Sequence, residues 1–204
     1  GSEMCIRDRL TCFTALPFAA SAATPATSAG GKYVFAYFTG DNTSEQKIRF
    51  AVSDDGYNFT AINGNQPVVE QTTGTGCARD PYLFRGQDGY YYMVATDMDA
   101  SLGWWDVNDA MTVWRSADLV NWSEESHISI KDVKNADGTP ALPANETVHC
   151  FWAPQVIWDD STGKYMVYFS LSTSSFTGGS EQKIYYMLTD NLMAVSYTHL
   201  TLPT

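Results

Sequence analysis

Asp80 is the residue whose type and position most suggest chemistry. It lies in Cys77-Ala-Arg-Asp-Pro-Tyr-Leu-Phe84, an acid placed where an apolar strand begins. A carboxylate at the end of a buried strand either does general acid/base work or caps the strand as a turn acid. Arg79 beside it either holds Asp80 ionised, as a base requires, or bridges neighbouring sheets. A second segment, Cys150-Phe-Trp-Ala-Pro-Gln-Val-Ile157, aligns with the first at Cys, Pro and the apolar positions. There Trp152 stands one residue before the position equivalent to Asp80, and its indole suits either stacking on a ligand or packing in the core. Phe151 poses the same choice more weakly. Cys77 and Cys150 occupy equivalent positions, so they are either a disulfide that pins the two strand mouths or two buried thiols.

The elements that must position these residues repeat along the chain. Gly31-Lys-Tyr-Val-Phe-Ala-Tyr-Phe-Thr39, Gly89-Tyr-Tyr-Tyr-Met-Val-Ala-Thr96 and Gly163-Lys-Tyr-Met-Val-Tyr-Phe-Ser170 open three copies of one hairpin. The second limbs are Ser44–Asp54, Ala110–Asp118 and Ser180–Asp190. The Cys-to-Pro strand precedes the second and third copies, and an outer strand is expected at Tyr57–Thr60 and at Leu119–Trp122. β-branched and aromatic residues dominate these runs, and no segment keeps helical spacing. The unit is therefore four antiparallel strands, and four-stranded units repeated along a chain predict an all-β propeller. Roughly two and a half units are present, from 32 to 193, and the first lacks its innermost strand. A β-sandwich is the alternative, but it leaves the recurring Pro and Cys unexplained.

In such a meander the connections alternate between two faces. The long segments Ala61–Gly76, Asp97–Asp109, Ser123–His149 and Leu171–Glu181 all fall on one face, and Asp80 opens onto it. Trp104 and Trp105 lie in the Asp97–Asp109 loop and favour ligand contact over packing. Asp97 opens that same loop and Asp41 another on this face, as either hydroxyl ligands or solvated acids. His149 adjoins Cys150 at the same mouth as a substrate or ion ligand or a structural histidine. No metal-ligand spacing, Gly-rich phosphate loop or serine-triad signature occurs.

Composition narrows the partners. The 204 residues carry 14% aromatics, 17% charged residues and a net charge of -11. That describes a packed globular chain, and its charge disfavours nucleic acid. Leu10–Ala22 is an apolar run ending in Ala20-Ser21-Ala22, which resembles a secretory signal peptide followed by a flexible leader to Gly31. No run is long enough to span a bilayer. The signal-like pattern makes a secreted or periplasmic protein the expectation, off the membrane after export. Gly1–Arg9 and Val195–Thr204 resemble translated sequencing-adapter read-through. On that reading residues 1–31 are adapter, signal remnant and leader, residues 194–204 are an adapter-like tail, and the native chain is truncated.

The order Arg79-Asp80-Pro81, Gly89-Tyr-Tyr-Tyr-Met-Val94, Ser116-Ala-Asp-Leu-Val-Asn-Trp122, Trp152-Ala-Pro-Gln155 and Gly163–Ser170 resembles glycoside hydrolase family 43. The resemblance covers Gly31 to about Met193. It implies a five-bladed β-propeller that cleaves arabinose- or xylose-containing plant polysaccharide with inversion and needs no cofactor, although some members hold a cation on the axis. It assigns Asp80 as general base and Trp152, with Arg79, Phe151, Trp104 and Asp97, to the substrate side. The general acid and a tuning Asp fall beyond Met193, so a chain of this extent is expected not to catalyse. The rivals are a fructan-cleaving propeller, which carries an Asn-Asp-Pro motif absent before Arg79, and a sugar-binding propeller without its acid.

Overall fold

A computed structural model of the chain describes residues 32–103, 108–174 and 181–194, and the backbone of 198–201. The signal-like and leader segments and Trp104 and Trp105 lie outside the described residues. Among the described residues eleven strands form three antiparallel sheets, each built from strands consecutive in the chain. The first holds β1 (Tyr33–Tyr37), β2 (Arg49–Ser53) and β3 (Thr60–Ala61). The second holds β4 (Ala78–Arg85), β5 (Tyr91–Asp97), β6 (Ala110–Ser116) and β7 (Glu124–Ser129). The third holds β8 (Val148–Asp159), β9 (Lys164–Thr173), β10 (Lys183–Thr189) and β11 (Thr198–Thr201). Strand β11 lies in the expected adapter-like tail and pairs antiparallel with β10.

The middle sheet is packed on both sides, which is why β5 and β6 are buried almost throughout. Strand parity sorts its residues. Tyr92 and Val94 join a core with Phe151, Val167 and Phe169 of the third sheet, whereas Met93 and Ala95 join one with Ile48 and Phe50 of the first. Each large apolar side chain sealed this way contributes about 1.5–3 kcal/mol relative to exposure. Strand β4 lies against β1 on one side and β8 on the other. The three hairpins and the Cys-to-Pro strands therefore form as the sequence predicts.

The outer strands do not. Tyr57–Thr60 and Leu119–Trp122 were expected to be strands, but the chain is still turning there and pairs only from Thr60 and Glu124. The cause is a polar turn formed twice. Ser53 Oγ donates to Asp55 Oδ1 at 2.9 Å, Asp55 Oδ1 accepts from the amides of Tyr57 and Asn58, and Oδ2 accepts from Asn58 Nδ2. Ser116, Asp118, Val120 and Asn121 repeat it bond for bond. Side-chain bonds of this kind compete with the ladder and win at short spacing. The amide of Asn121, then that of Val120, hold the Asp118 carboxyl down at about 2.

Connections 86–90 and 160–163 are short, whereas 38–48, 62–77 and 130–147 are long and open at the end of the sheets where β4 begins. Among the described residues no helix is long and apolar enough to cross a membrane.

Candidate active site

Asp80 sits on a bulge. Arg79 pairs with Thr96 and Tyr82 with Val94, so Asp80 and Pro81 together oppose the single residue Ala95. The backbone at Asp80 is left-handed, with φ 50°. The third sheet repeats this at the same place. Trp152 pairs with Ser170 and Gln155 with Tyr168, and Ala153, again followed by Pro, also has φ 50°. Proline removes a ladder donor and disfavours helical backbone in the residue before it, so a bulge is where a strand tolerates it. A left-handed residue that is not glycine costs about 1–2 kcal/mol. Such strain gathers at functional sites. Here it turns the Asp80 side chain out of the strand's alternation and into solvent at the loop-bearing end.

One side chain of the scaffold holds the carboxylate. Thr96 Oγ1 donates to Asp80 Oδ2 at 3.1 Å and accepts the amide of Ala153 at 2.8 Å. Thr96 is fully buried and follows Tyr92 and Val94 by parity, which aims it at the third sheet. Among the described residues no further hydrogen bond holds the Asp80 carboxylate, and the residue is exposed.

The loop leading into β4 is tied down by two carboxylates. Asp97 Oδ1 accepts from Gln71 Nε2 at 2.7 Å and from the amide and hydroxyl of Thr75 at 2.9 and 2.6 Å, while Oδ2 meets His127 Nε2 at 2.7 Å. Glu125 accepts from the amides and hydroxyls of Thr72 and Thr73 and from Trp114 Nε1. Burial pushes the Glu125 carboxyl up, but the threonine bonds outweigh it and the net shift is downward. Asp97 therefore spends its oxygens on the fold, and only 6% of its side chain is exposed. It was expected on the substrate side. The structure gives it to the loop.

A family model for a probable glycosyl hydrolase domain, related to glycoside hydrolase family 43, matches residues 29–202. The chain belongs to that family. It is 29% identical over 147 residues to an α-L-arabinofuranosidase of Bifidobacterium longum subsp. longum, covering 68% of this chain and 13% of that protein. Its fold is similar to that of a family 43 β-xylosidase/α-arabinofuranosidase from a compost microbial metagenome, with a TM-score of 0.53 at 18% identity over 85% of this chain and 54% of the other. It is similar also to a family 32 β-fructofuranosidase from Bombyx mori, with a TM-score of 0.55 at 18% identity over 83% and 34%. The chain thus spans about an eighth of the curated relative and a third to a half of these solved chains.

The remaining candidates of this family 43-related chain divide clearly. Trp152 is half-buried on β8 beside the bulge, the one indole of the described residues adjoining the Asp80–Thr96–Ala153 group. Phe151 is corrected to a core residue: it is fully buried, its ring edge-on to Phe169 at 4.4 Å between centroids, so it offers no face to a sugar. Arg79 is 7% exposed and binds across to the first sheet, through Asp41 Oδ1 at 2.8 Å, Gln46 Oε1 at 3.1 Å and the face of Phe38 at 4.5 Å. It bridges sheets, and Asp41 is its partner. Cys77 and Cys150 are free buried thiols, not a disulfide. Cys77 Sγ approaches the Thr43 carbonyl of the first sheet's loop and Cys150 Sγ the Ser170 carbonyl of β9, so they are directed to different neighbours. Burial pushes the Cys150 thiol up to about 11. His149 is half-buried on β8, and among the described residues no cluster of three His, Cys, Asp or Glu is placed to hold a metal ion. Thr96 escaped the sequence reading. Its signal was a hydroxyl residue closing the second and third hairpin copies, at Thr96 and Ser170.

Proposed function

We propose that this chain carries the general-base side of an inverting glycosidase, exported by the cell, that acts on arabinose- or xylose-containing plant polysaccharide. The three sheets are then blades of a five-bladed propeller. The supporting observation is Asp80: an exposed carboxylate on a strained bulge, with one oxygen anchored by Thr96. Such a base takes a proton from water as the water's oxygen attacks the anomeric carbon, while an acid elsewhere protonates the departing oxygen. Inversion needs the two carboxyls about 6.5–9.5 Å apart, so that water fits between base and sugar. No residue of this chain is assigned as the acid, and the chain alone is proposed to be inactive. Trp152 supplies a stacking face beside the base.

The test is hydrolysis of aryl α-L-arabinofuranoside and aryl β-D-xyloside by the full-length protein, with the anomer of the first-formed sugar read by NMR. Asp80→Asn is expected to lower kcat by about 10²–10⁴-fold, and the product is expected to be inverted. A retained anomer, full activity of Asp80→Asn, or cleavage of sucrose in place of both glycosides overturns the proposal. Sugar binding without turnover by the full-length protein makes it a lectin-like propeller instead. Release of sugar by the chain alone refutes the claim that its acid lies elsewhere.

A further inference from the structure

Thr96 is a fully buried polar residue at the end of a β5 face that otherwise carries Tyr92 and Val94, and its two hydrogen bonds reach two different sheets. A hydroxyl has one proton and two lone pairs. The Ala153 N–H can only donate, and at 2.8 Å it occupies a lone pair of Oγ1. The Thr96 proton is therefore committed outward, and Asp80 Oδ2 at 3.1 Å is its acceptor. Because Thr is β-branched and held in a strand, its χ1 has little freedom to redirect that proton. An unpaired hydroxyl at this depth is costly, which opposes release of either bond.

We propose that Thr96 is the positioning residue of the site: a hydroxyl bridge that fixes Asp80 against the bulge of the neighbouring sheet. The proposal rests on the reading of Asp80 as general base. The bridge holds Oδ2 and leaves Oδ1 as the oxygen presented to water. It also sets the spacing between Asp80 and Trp152, because Trp152 immediately precedes the Ala153 amide that Thr96 holds. Both bulges are needed for this. A bulge leaves an amide unspent by the ladder, and the amide of Ala153 is the one Thr96 takes.

Thr96→Val keeps the shape of the side chain and deletes the hydroxyl, whereas Thr96→Ser keeps the hydroxyl. In the full-length protein, Thr96→Val is expected to lower kcat by about ten- to a hundredfold, the scale of a misplacement near 1 Å. KM should change little, and Thr96→Ser should recover most of the loss. By NMR on the chain itself, the Ala153 amide should exchange faster with solvent in Thr96→Val and at the wild-type rate in Thr96→Ser. Wild-type kcat in Thr96→Val, equal losses in Val and Ser, or an Ala153 amide indifferent to both overturns the bridge. Should Thr96→Val not fold, Thr96→Cys, with a far weaker donor, carries the same comparison. Asp80→Asn separates the two claims. If it stays active the base assignment fails, whereas an inactive Asp80→Asn beside an unaffected Thr96→Val sinks the bridge alone.

Discussion

Ala153→Gly should make the protein more stable, an unusual expectation for a glycine placed in a strand. Alanine at φ 50° bears a clash between Cβ and its own backbone of about 1–2 kcal/mol. Glycine relieves it, at an entropic cost of about 0.5–1 kcal/mol. That cost falls at the low end here, because the following Pro154 already restricts residue 153 in the unfolded chain. The methyl group is exposed, so little burial is lost, and the amide that Thr96 accepts is unchanged. The net is a gain of about 0.5–1.5 kcal/mol, or a rise in Tm of about 1–6 °C for a chain of this size.

Thermal and urea unfolding of wild type, Ala153→Gly and a control, Ala61→Gly, measure this. Ala61 is an exposed strand residue with negative φ, so its replacement should cost about 0.5–1 kcal/mol. Asp80→Gly makes the comparison stricter. It relieves the same strain but strands the buried Thr96 hydroxyl, which costs about 1–3 kcal/mol, so it should gain nothing. If Ala153→Gly is destabilised as much as Ala61→Gly, the bulge carries no strain and the argument from backbone conformation fails.

Gly74 tests the loop beneath the site. Its φ is 58°, and a Cβ there would lie 2.1 Å from Asp97 Oδ2, an oxygen held by His127. Gly74→Ala should therefore cost about 2–3 kcal/mol by urea unfolding; a neutral result would show that the loop yields. The Asp118 turn predicts an acid limb of stability. Its carboxyl lies at about 2 when folded against an ordinary value of 3.8, so its contribution is complete above 3.8 and is lost as pH falls through 2. The difference in urea midpoint between wild type and Asp118→Asn should shrink between pH 4 and pH 2, and a gap independent of pH would contradict the assignment.

Much of the fold was legible because its signals are local and repeated. Three Gly-initiated hairpins and two Pro-bearing strands lie within a few residues of where the sequence puts them. The outer strands were misplaced because Tyr57, Phe59 and Trp122 have strand-like composition, while Asp55 and Asp118, each two residues after a Ser and three before an Asn, bind the chain into turns. That spacing was readable, and it outweighs composition. At the site, Asp80 was legible as an acid against an apolar strand. Asp97 and Arg79 were not assignable, since both lie at the loop-bearing end of the sheet and only side-chain direction shows that one binds the 71–75 loop and the other the loop of the first sheet. Phe151 and Trp152 are neighbours of similar chemistry, and strand parity sends the first into the core and leaves the second half-exposed.

The bulge occurs twice, but the acid occurs once. Were the strain at Asp80 a cost borne only for catalysis, the copy in the third sheet would have no reason to keep φ 50° on an alanine. It keeps it because the bulge has a second product, an amide that the ladder does not consume, and that amide orders the hydroxyl which orders the carboxylate. The strained Ala153 is thus as much a part of the site as Asp80, although it carries no functional group. It follows that straightening β8, for instance by replacing Pro154, should disturb Asp80 on the neighbouring sheet while leaving β4 itself unaltered.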